Sequence, residues 1–240
     1  MELTDFEVLT FDCYGTLIDW EAGLLAALRP LLERSGVGLT DDEVLEAYAR
    51  HEAAQQAETP NLIYPQLLAR TYRSLATGWG VAPSDAEADA FGASVKDWPA
   101  FPDSAEALAY LERHYRLVVL SNVDRASFAA SNAKLGVRFD AVYTAEEIGS
   151  YKPDRRNFEY MLARLGEMGV DKAKILHTAQ SLFHDHEPAV EIGLATAWID
   201  RRHDREGWGA TRPPGSDVRT DFRFTSLAGL ADRHRALIGA

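Results

Sequence analysis

The residues near the N-terminus that suggest chemistry are Asp12 and Thr16, which follow a short apolar run. The run 8–11 is too short for a globular helix and is rich in β-branched and aromatic side chains, so it predicts a buried strand. Gly15 gives the backbone the freedom needed for a sharp turn after that strand. A carboxylate there points into the crevice above a sheet. On these residues alone, a solvated turn aspartate is an equally good interpretation.

Polar side chains follow other predicted strands in the same way, namely Ser121 with Asn122, Lys152, and Asp185. In a parallel sheet, the carboxyl ends of the strands meet at one edge, and ligands bind in the crevice beyond that edge. Each side chain alone has an ordinary explanation, such as a helix cap, a turn residue or a solvated lysine. Their equivalent positions, together with Asp12, predict one shared active site.

The elements that position these residues alternate between strand and helix. Short apolar runs at 117–120, 141–144, 175–178 and 195–199 predict further strands, with helical spacing between them. This order predicts an α/β fold with a parallel sheet and helices on both faces. Between residues 19 and 98 the spacing is helical only, so we expect a helical cap domain at 19–98 inserted into a core formed by 1–18 and 99–240. Capping-box patterns predict helix starts at Thr40-x-x-Glu43, Ser84-x-x-Glu87 and Asp103-x-x-Glu106.

Composition limits the function classes. The chain has 240 residues, 46% of them hydrophobic, and a formal net charge of −12, which argues against broad nucleic-acid binding. The single cysteine, Cys13, excludes an intrachain disulfide framework, and no run approaches the length of a membrane span. We therefore expect a cytoplasmic protein that binds a small-molecule substrate, with no nucleic-acid or membrane partner. Leucines exposed on the helical cap could serve a homodimer interface.

Four motifs together resemble the haloacid dehalogenase superfamily: Phe11-Asp12-x-Tyr14-Gly15-Thr16-Leu17, Ser121-Asn122, Lys152-Pro153 and Ser181-x-x-x-Asp185. The resemblance covers nearly the whole chain and implies a Rossmann-like core with an inserted helical cap. It also implies covalent catalysis by Asp12. Thr16 and Ser121 would orient the Asp12 oxygens, and Lys152 would keep that carboxylate ionised.

Two positions separate the phosphatases of this superfamily from its dehalogenases. Phosphatases usually carry a second aspartate two residues after the nucleophile, where this chain has Tyr14. They also bind Mg²⁺ through an acidic residue at the position of Gln180, and an amide removes a charge from such a site. The pattern therefore resembles the L-2-haloacid dehalogenase branch. We expect no cofactor, and Mg²⁺ stays the open alternative.

In that branch the nucleophile displaces halide from the carbon next to the substrate carboxylate, and water then cleaves the resulting ester. The resemblance implies that Asp185 and Lys152 organise this water, with His184 or Ser181 assisting. The expected catalytic residues are Asp12, Thr16, Ser121, Asn122, Lys152 and Asp185. The expected substrate-binding residues are Tyr14, Gln180, Ser181 and His184.

The chain also departs from the branch. A cap arginine that holds the halide belongs to an Arg-x-x-Gln-Leu pattern, whose nearest match places Ile63 at the arginine position. Arg50, Arg70 and Arg73 are candidate replacements, although each is better explained as a solvated helix arginine. Phe158 stands where the branch has a tyrosine. The Ser-x-Asn pair in the last loop of the branch is replaced here by Gln180-Ser181-Leu182.

Three hypotheses follow, namely a metal-independent 2-haloacid dehalogenase, a phosphatase with a reduced Mg²⁺ site, and a catalytically silent binding protein with the same fold. A cysteine phosphatase is excluded because Asp19 stands where the arginine partner of Cys13 would be. A zinc site formed by His177, His184, Asp185 and His186 is disfavoured, because adjacent residues rarely all face one ion.

Overall fold

One parallel sheet carries the fold. The computed structural model describes residues 1–239. Its strands are β1 Val8–Phe11, β2 Arg116–Ser121, β3 Ala141–Thr144, β4 Ile175–Ala179, β5 Ala195–Ile199 and β6 Phe222–Phe224. They pair in the order β3-β2-β1-β4-β5-β6, and every pairing is parallel. The order reverses at β1, so a crevice opens beyond its carboxyl end, between β2 and β4.

Alternate side chains of the strands enter two separate hydrophobic clusters, as expected for a sheet covered on both faces. Val8 and Val118 belong to the cluster formed with Phe158 and Met161 of the helix Arg155–Glu167. Leu9 and Val119 belong to the larger cluster, which also contains side chains from the segment between β1 and β2. The helices of this core are α5 Ser104–Leu111, α6 Arg125–Leu135, α7 Ala145–Ile148, α8 Arg155–Glu167, α9 Glu187–Glu191 and α10 Leu227–Ile238.

The segment between β1 and β2 is helical. It contains α1 Trp20–Ser35, α2 Asp41–Glu58, α3 Tyr64–Gly78, α4 Asp85–Gly92 and a short 3-10 helix Ala93–Asp97. The division into a core and a cap at residues 18/19 and 98/99 stays a prediction. No helix within residues 1–239 combines the length and the apolar character needed to cross a bilayer.

The local helix signals had mixed outcomes. The capping boxes at Thr40 and Ser84 are confirmed, each with reciprocal bonds to the glutamate three residues later. The predicted box at Asp103 is wrong. Its carboxylate accepts hydrogen bonds from Arg201 Nη1 at 2.8 Å and from the Ala228 amide at 3.0 Å, so tertiary partners replace the local one. The sequence did not predict strand β6 or helix α7. Helix α5 ends at Leu111 rather than near His114.

Candidate active site

Asp12 follows β1 directly and is held at both carboxylate oxygens. Its amide donates to the Thr178 carbonyl at 3.1 Å, which continues the pairing with β4. Oδ2 accepts from Thr16 Oγ1 at 2.7 Å, and Oδ1 accepts from Lys152 Nζ at 2.9 Å. The turn from Asp12 to Thr16 passes through Gly15, whose φ is +94°. A Cβ atom at this position would lie 3.0 Å from Trp20 Nε1. The glycine therefore permits the turn that returns Thr16 to Asp12.

Lys152 is the cation of the site and is 1% exposed. Its ammonium donates to Asp12 Oδ1 at 2.9 Å, to Asp185 Oδ1 at 2.6 Å and to the Leu120 carbonyl at 2.9 Å. Burial acts to lower the pKa of Lys152, but the two carboxylates outweigh burial and raise it. Lys152 is therefore protonated at neutral pH.

Asn122 fixes the backbone that carries Lys152. Its Oδ1 accepts from the Lys152 amide at 2.6 Å, and its Nδ2 donates to the Lys152 carbonyl at 3.0 Å. Because these two hydrogen bonds use both the oxygen and the nitrogen of the side-chain amide, Asn122 holds the backbone of Lys152 and thereby positions its ammonium.

Asp185 lies on a single π-helical turn, Leu182–His186, that follows β4. Its Oδ1 accepts from Lys152 and contacts His177 Nε2 at 3.0 Å, whereas its buried Oδ2 has no partner within residues 1–239. Burial acts to raise the pKa of Asp185, but Lys152 and His177 bring it well below its usual value. The pKa of Asp12 is raised, because burial and the Asp185 charge outweigh Lys152. Asp185 is therefore the more firmly ionised carboxylate of the two.

Two serines lie at element boundaries near the site, one at the end of β2 and one at the start of the π-helical turn after β4. Ser121 Oγ, at the end of β2, is buried without a hydrogen-bond partner among residues 1–239, which leaves a hydroxyl for a ligand. Ser181 Oγ caps the π-helical turn, accepting from the His184 amide at 2.9 Å and lying 3.2 Å from His184 Nδ1. Burial lowers the pKa of His184 to about 4, so its imidazole is neutral at pH 7.

Tyr14 and Gln180 occupy the two positions that distinguish the hypotheses. The Tyr14 hydroxyl hydrogen-bonds to Ser131 Oγ at 2.8 Å, and burial raises its pKa well above 10, so the phenol is a poor acid at this position. The backbone N–H of Gln180 donates to Thr16 Oγ1 at 2.9 Å, and the side-chain Oε1 faces Gly15. Gln180 thereby supports the hydroxyl that holds Asp12.

A cavity of about 40 Å³ lies over Asp12. The predicted residues that line it are Asp12, Tyr14, Asn122, Lys152, Ser181, His184 and Asp185. Three predicted residues stand outside its lining. Thr16 and Gln180 are linked to Asp12 by hydrogen bonds, and Ser121 lies at the end of β2.

Sequence reasoning missed the residues that line the cavity from the helical segment, including Glu52 of α2 and Tyr64 of α3. Glu52 is 4% exposed, and its Oε1 accepts from Tyr48 at 2.8 Å and from Tyr64 at 3.0 Å. Burial raises the pKa of Glu52 to about 7. The four-residue spacing of Tyr48 and Glu52, which puts both on one helix face, was an available signal.

The candidate replacements for the cap arginine do not reach this cavity. Arg50 and Arg70 are exposed, and Arg73 pairs with Asp85 at 2.8 Å on the surface. Ile63, at the position of the arginine in the family pattern, is 37% exposed. Among residues 1–239, Lys152 is the one lysine or arginine lining the cavity.

The donor set suits a magnesium ion poorly. The anionic oxygens at the site come from Asp12 and Asp185, which share the Lys152 ammonium, and Gln180 offers a neutral amide oxygen, whereas Mg²⁺ prefers several anionic ligands. Within residues 1–239, no group of three or more acidic, histidine or cysteine side chains is arranged to hold a metal. The histidines have other partners, since His177 contacts Thr10 and Asp185, and His186 donates to the Ala179 carbonyl.

Comparisons with known proteins agree with this architecture. The chain resembles a defluorinating L-2-haloacid dehalogenase, with a TM-score of 0.77, 20% identity, and coverage of 96% of this chain and 95% of the other. It also resembles the L-2-haloacid dehalogenase from Xanthobacter autotrophicus with chloropropionic acid covalently bound, with a TM-score of 0.76, 18% identity and coverage of 97% and 99%. At these identities the likeness shows the fold.

A curated relative is the pyrimidine 5'-nucleotidase YjjG of Escherichia coli (strain K12), 24% identical over 110 residues. The match covers 45% of this chain and about half of that relative, 48% of its length. The model of the haloacid dehalogenase-like hydrolase family matches residues 6–178. The chain is therefore a hydrolase that belongs to the haloacid dehalogenase-like hydrolase family.

Proposed function

We propose that this hydrolase cleaves the carbon–halogen bond of short 2-halo acids through an ester on Asp12, without a metal ion. The observation that carries the proposal is the position of the Lys152 ammonium between the Asp12 and Asp185 carboxylates. A lysine there supplies the positive charge that a buried nucleophilic carboxylate needs to stay ionised. The Xanthobacter structure, with its covalently bound chloropropionic acid, supports the same chemistry by similarity.

In the first step, one Asp12 oxygen forms a bond to C2 of the substrate. The carbon–halogen bond breaks, and the halide leaves with the bonding electron pair. Thr16 and Lys152, each on one Asp12 oxygen, hold the carboxylate in position for the attack.

In the second step, a water oxygen attacks Asp12 Cγ and the ester bond breaks. The released 2-hydroxy acid oxygen takes one proton, the Asp12 carboxylate is regenerated, and the second proton of the water passes to solvent. Asp185 is a poor base because its pKa is so low, but its free Oδ2 can orient the water. His184, neutral at pH 7, can accept a hydrogen bond from this water, and its pKa of about 4 makes it a weak base, so the proton passes on to solvent.

A phosphatase is the second candidate, favoured by the similarity to the Escherichia coli nucleotidase. Phosphoryl transfer needs cationic neutralisation of the phosphate, and the expulsion of an alcohol needs an acid. The hydroxyl of Tyr14 is engaged by Ser131, and the oxygens around Asp12 suit Mg²⁺ poorly. These contacts make dehalogenation the better-supported candidate.

The test measures halide release from fluoro-, chloro- and bromoacetate and from 2-chloropropionate in the presence of EDTA. We expect release by the wild type, loss in Asp12→Asn, and activity close to wild type in Asp204→Asn, which changes an exposed loop aspartate. A single turnover in ¹⁸O-labelled water should place the label in Asp12, because water attacks its Cγ. No halide release from any acid, or release only with added Mg²⁺, would overturn the proposal. Phosphate release from nucleotides that rises with Mg²⁺ would establish the second candidate.

A further inference from the structure

The helical side of the cavity over Asp12 is lined by a carboxyl group rather than by a lysine or arginine side chain. Glu52 projects from α2 and lines this cavity together with Asp12. Its Oε1 accepts hydrogen bonds from the Tyr48 and Tyr64 hydroxyls, and no residue within 1–239 bonds to Oε2. Because both phenols donate to the same oxygen, a proton on Glu52 resides on Oε2, which is left for a ligand in the cavity.

The surroundings of Glu52 favour this protonated form. Burial raises its pKa to about 7, while the two tyrosine hydrogen bonds act in the opposite direction. The titratable groups that face it are Tyr48 on its own helix, Tyr64 on α3, Tyr151 before α8, and Asp12, Lys152, His184 and Asp185 across the cavity. Lys152 is already shared by the Asp12 and Asp185 carboxylates, so Glu52 has no cation of its own.

We propose that Glu52, as a neutral carboxylic acid, donates a hydrogen bond from Oε2 to the atom that leaves the substrate carbon, and that 2-fluoro acids are the preferred substrates. This inference rests on the proposed dehalogenation. It assigns a leaving-group contact to a residue of the helical segment, opposite the nucleophile.

Fluorine is the halogen that needs such a donor. Chloride and bromide leave carbon readily, whereas the carbon–fluorine bond is stronger and fluoride is the strongest hydrogen-bond acceptor among the halides. As the Asp12 oxygen bonds to C2, the electron pair of the C2–F bond passes to fluorine, and the Glu52 O–H stabilises the charge that develops there. Fluoride is a weaker base than Glu52, so Glu52 keeps its proton and no proton transfer is needed.

Ionised Glu52 would have the opposite effect. It would lose the O–H donor and would add a negative charge facing both Asp12 and an anionic substrate. Fluoride release should therefore decline as Glu52 ionises.

The experiment compares kcat/KM for fluoroacetate, chloroacetate and bromoacetate from pH 5.5 to 9 in the wild type, Glu52→Gln and Glu52→Leu. Glu52→Leu should lower kcat/KM for fluoroacetate by about 10- to 100-fold, the loss of one hydrogen bond to a charged group, and that for bromoacetate by much less. Glu52→Gln keeps an N–H donor, so it should retain fluoride release while losing the decline that the wild type shows above about pH 7.

The matched control is Glu46→Gln, an exposed glutamate on the same helix, which should behave as the wild type. Thermal melts establish that each variant is folded. Equal losses on all three acids in Glu52→Leu, or an unchanged pH profile in Glu52→Gln, would overturn the role of Glu52. Wild-type release of chloride and bromide but not fluoride would overturn the substrate preference while leaving dehalogenation intact. No halide release from any acid would instead overturn the proposed function, and this inference with it.

Discussion

The two walls of the cavity over Asp12 provide different hydrogen-bond partners for their buried carboxyl groups. The sheet-side wall, formed by Asp12, Lys152 and Asp185, places two carboxylates within 2.9 Å of one ammonium. The helical wall, which includes Glu52 and Tyr64 and is supported from behind by Tyr48, holds one carboxyl group with hydrogen bonds from the two phenols and no cation. The pKa of Asp185 lies well below its usual value, whereas that of Glu52 is raised to about 7.

The difference shows that a buried carboxyl takes its charge state from its partner. Removing a charged group from water is costly, and an opposite charge at close range offsets this cost. Phenolic donors stabilise a carboxylate less than an ammonium does, so Glu52 largely avoids the cost by keeping its proton. At pH values below about 7, the cavity therefore has one wall with ionised groups and one wall whose carboxyl group keeps its proton.

The largest effect is expected when the sheet-side wall loses its cation. Lys152→Met leaves two buried carboxylates facing each other, and breaking a buried ion pair from one side costs about 3–5 kcal/mol of stability. Urea denaturation at pH 7 measures this loss in the free energy of unfolding. Halide release should also disappear, because Asp12 would then retain a proton.

Lys96→Met is the matched control, since Lys96 is an exposed lysine whose ammonium makes no side-chain ion pair within residues 1–239. Its stability should stay within about 0.5 kcal/mol of the wild type. Equal stability of the Lys152 and Lys96 variants would show that the ammonium does not hold the sheet-side wall together.

The sheet-side wall was more predictable from sequence than the helical wall for a physical reason. Asp12, Lys152 and Asp185 follow strands or strand–helix connections, and parallel strands bring their carboxyl ends to one edge whatever packs above them. Glu52 reaches the cavity only through the docking of α2 and α3 over the sheet. The spacing of Tyr48 and Glu52 places both on one helix face, but no local pattern determines what that face packs against.

The same reasoning explains the local successes and errors of the fold prediction. Strands β1 to β5 are long enough for an apolar run to show, whereas β6 has only the three residues of Phe222–Phe224. Thr40 and Ser84 cap their helices because no distant group competes for them. Asp103 fails to do so because Arg201 and the Ala228 amide, distant in sequence, take its carboxylate.

Buried groups beside the two walls should have opposite effects on the pH dependence of stability. The pKa of Glu52 is raised from 4.5 to about 7, so across this range the folded state holds a proton that the unfolded state has released, and the free energy of unfolding falls as pH rises. Burial lowers the pKa of His186 from 6.5 to about 4, so the unfolded state holds the extra proton and the free energy of unfolding rises with pH. Each effect amounts to about 3 kcal/mol over its range.

Urea denaturation between pH 4 and 8 separates these two effects. Relative to the wild type, Glu52→Gln should gain stability as pH rises from 4.5 to 7, and His186→Gln should gain stability as pH falls from 6.5 to 4. The glutamine at position 186 can still donate to the Ala179 carbonyl, as His186 Nε2 does at 2.9 Å. Parallel curves for the wild type and either variant would contradict the assigned protonation state of that residue.

A smaller loss in the free energy of unfolding is expected when Arg202, which connects the loop after β5 to the helical segment, is replaced. Its Nη1 donates to Glu21 Oε2 at 2.6 Å and its Nη2 to Asp42 Oδ1 at 2.7 Å. Because Asp42 is exposed and Glu21 is not, Arg202→Met should cost about 1–2 kcal/mol, between the values for surface and buried pairs. Urea denaturation checks the value, and a variant as stable as the wild type would show that this link contributes nothing.

The smallest expected change comes from removing one phenolic donor from the helical wall. Tyr48→Phe keeps the edge-on contacts of the ring with Trp20 and Phe91 but removes one hydrogen bond to Glu52 Oε1. The free energy of unfolding should fall by about 1 kcal/mol. Since that bond stabilises the carboxylate, its loss should raise the pKa of Glu52 and shift the alkaline decline of fluoride release to higher pH.

Tyr72→Phe, which changes a neighbour of Phe91 that does not bond to Glu52, should leave the pH profile unmoved. A shift of the Tyr48→Phe profile to lower pH would mean that the phenols favour the neutral form of Glu52 instead.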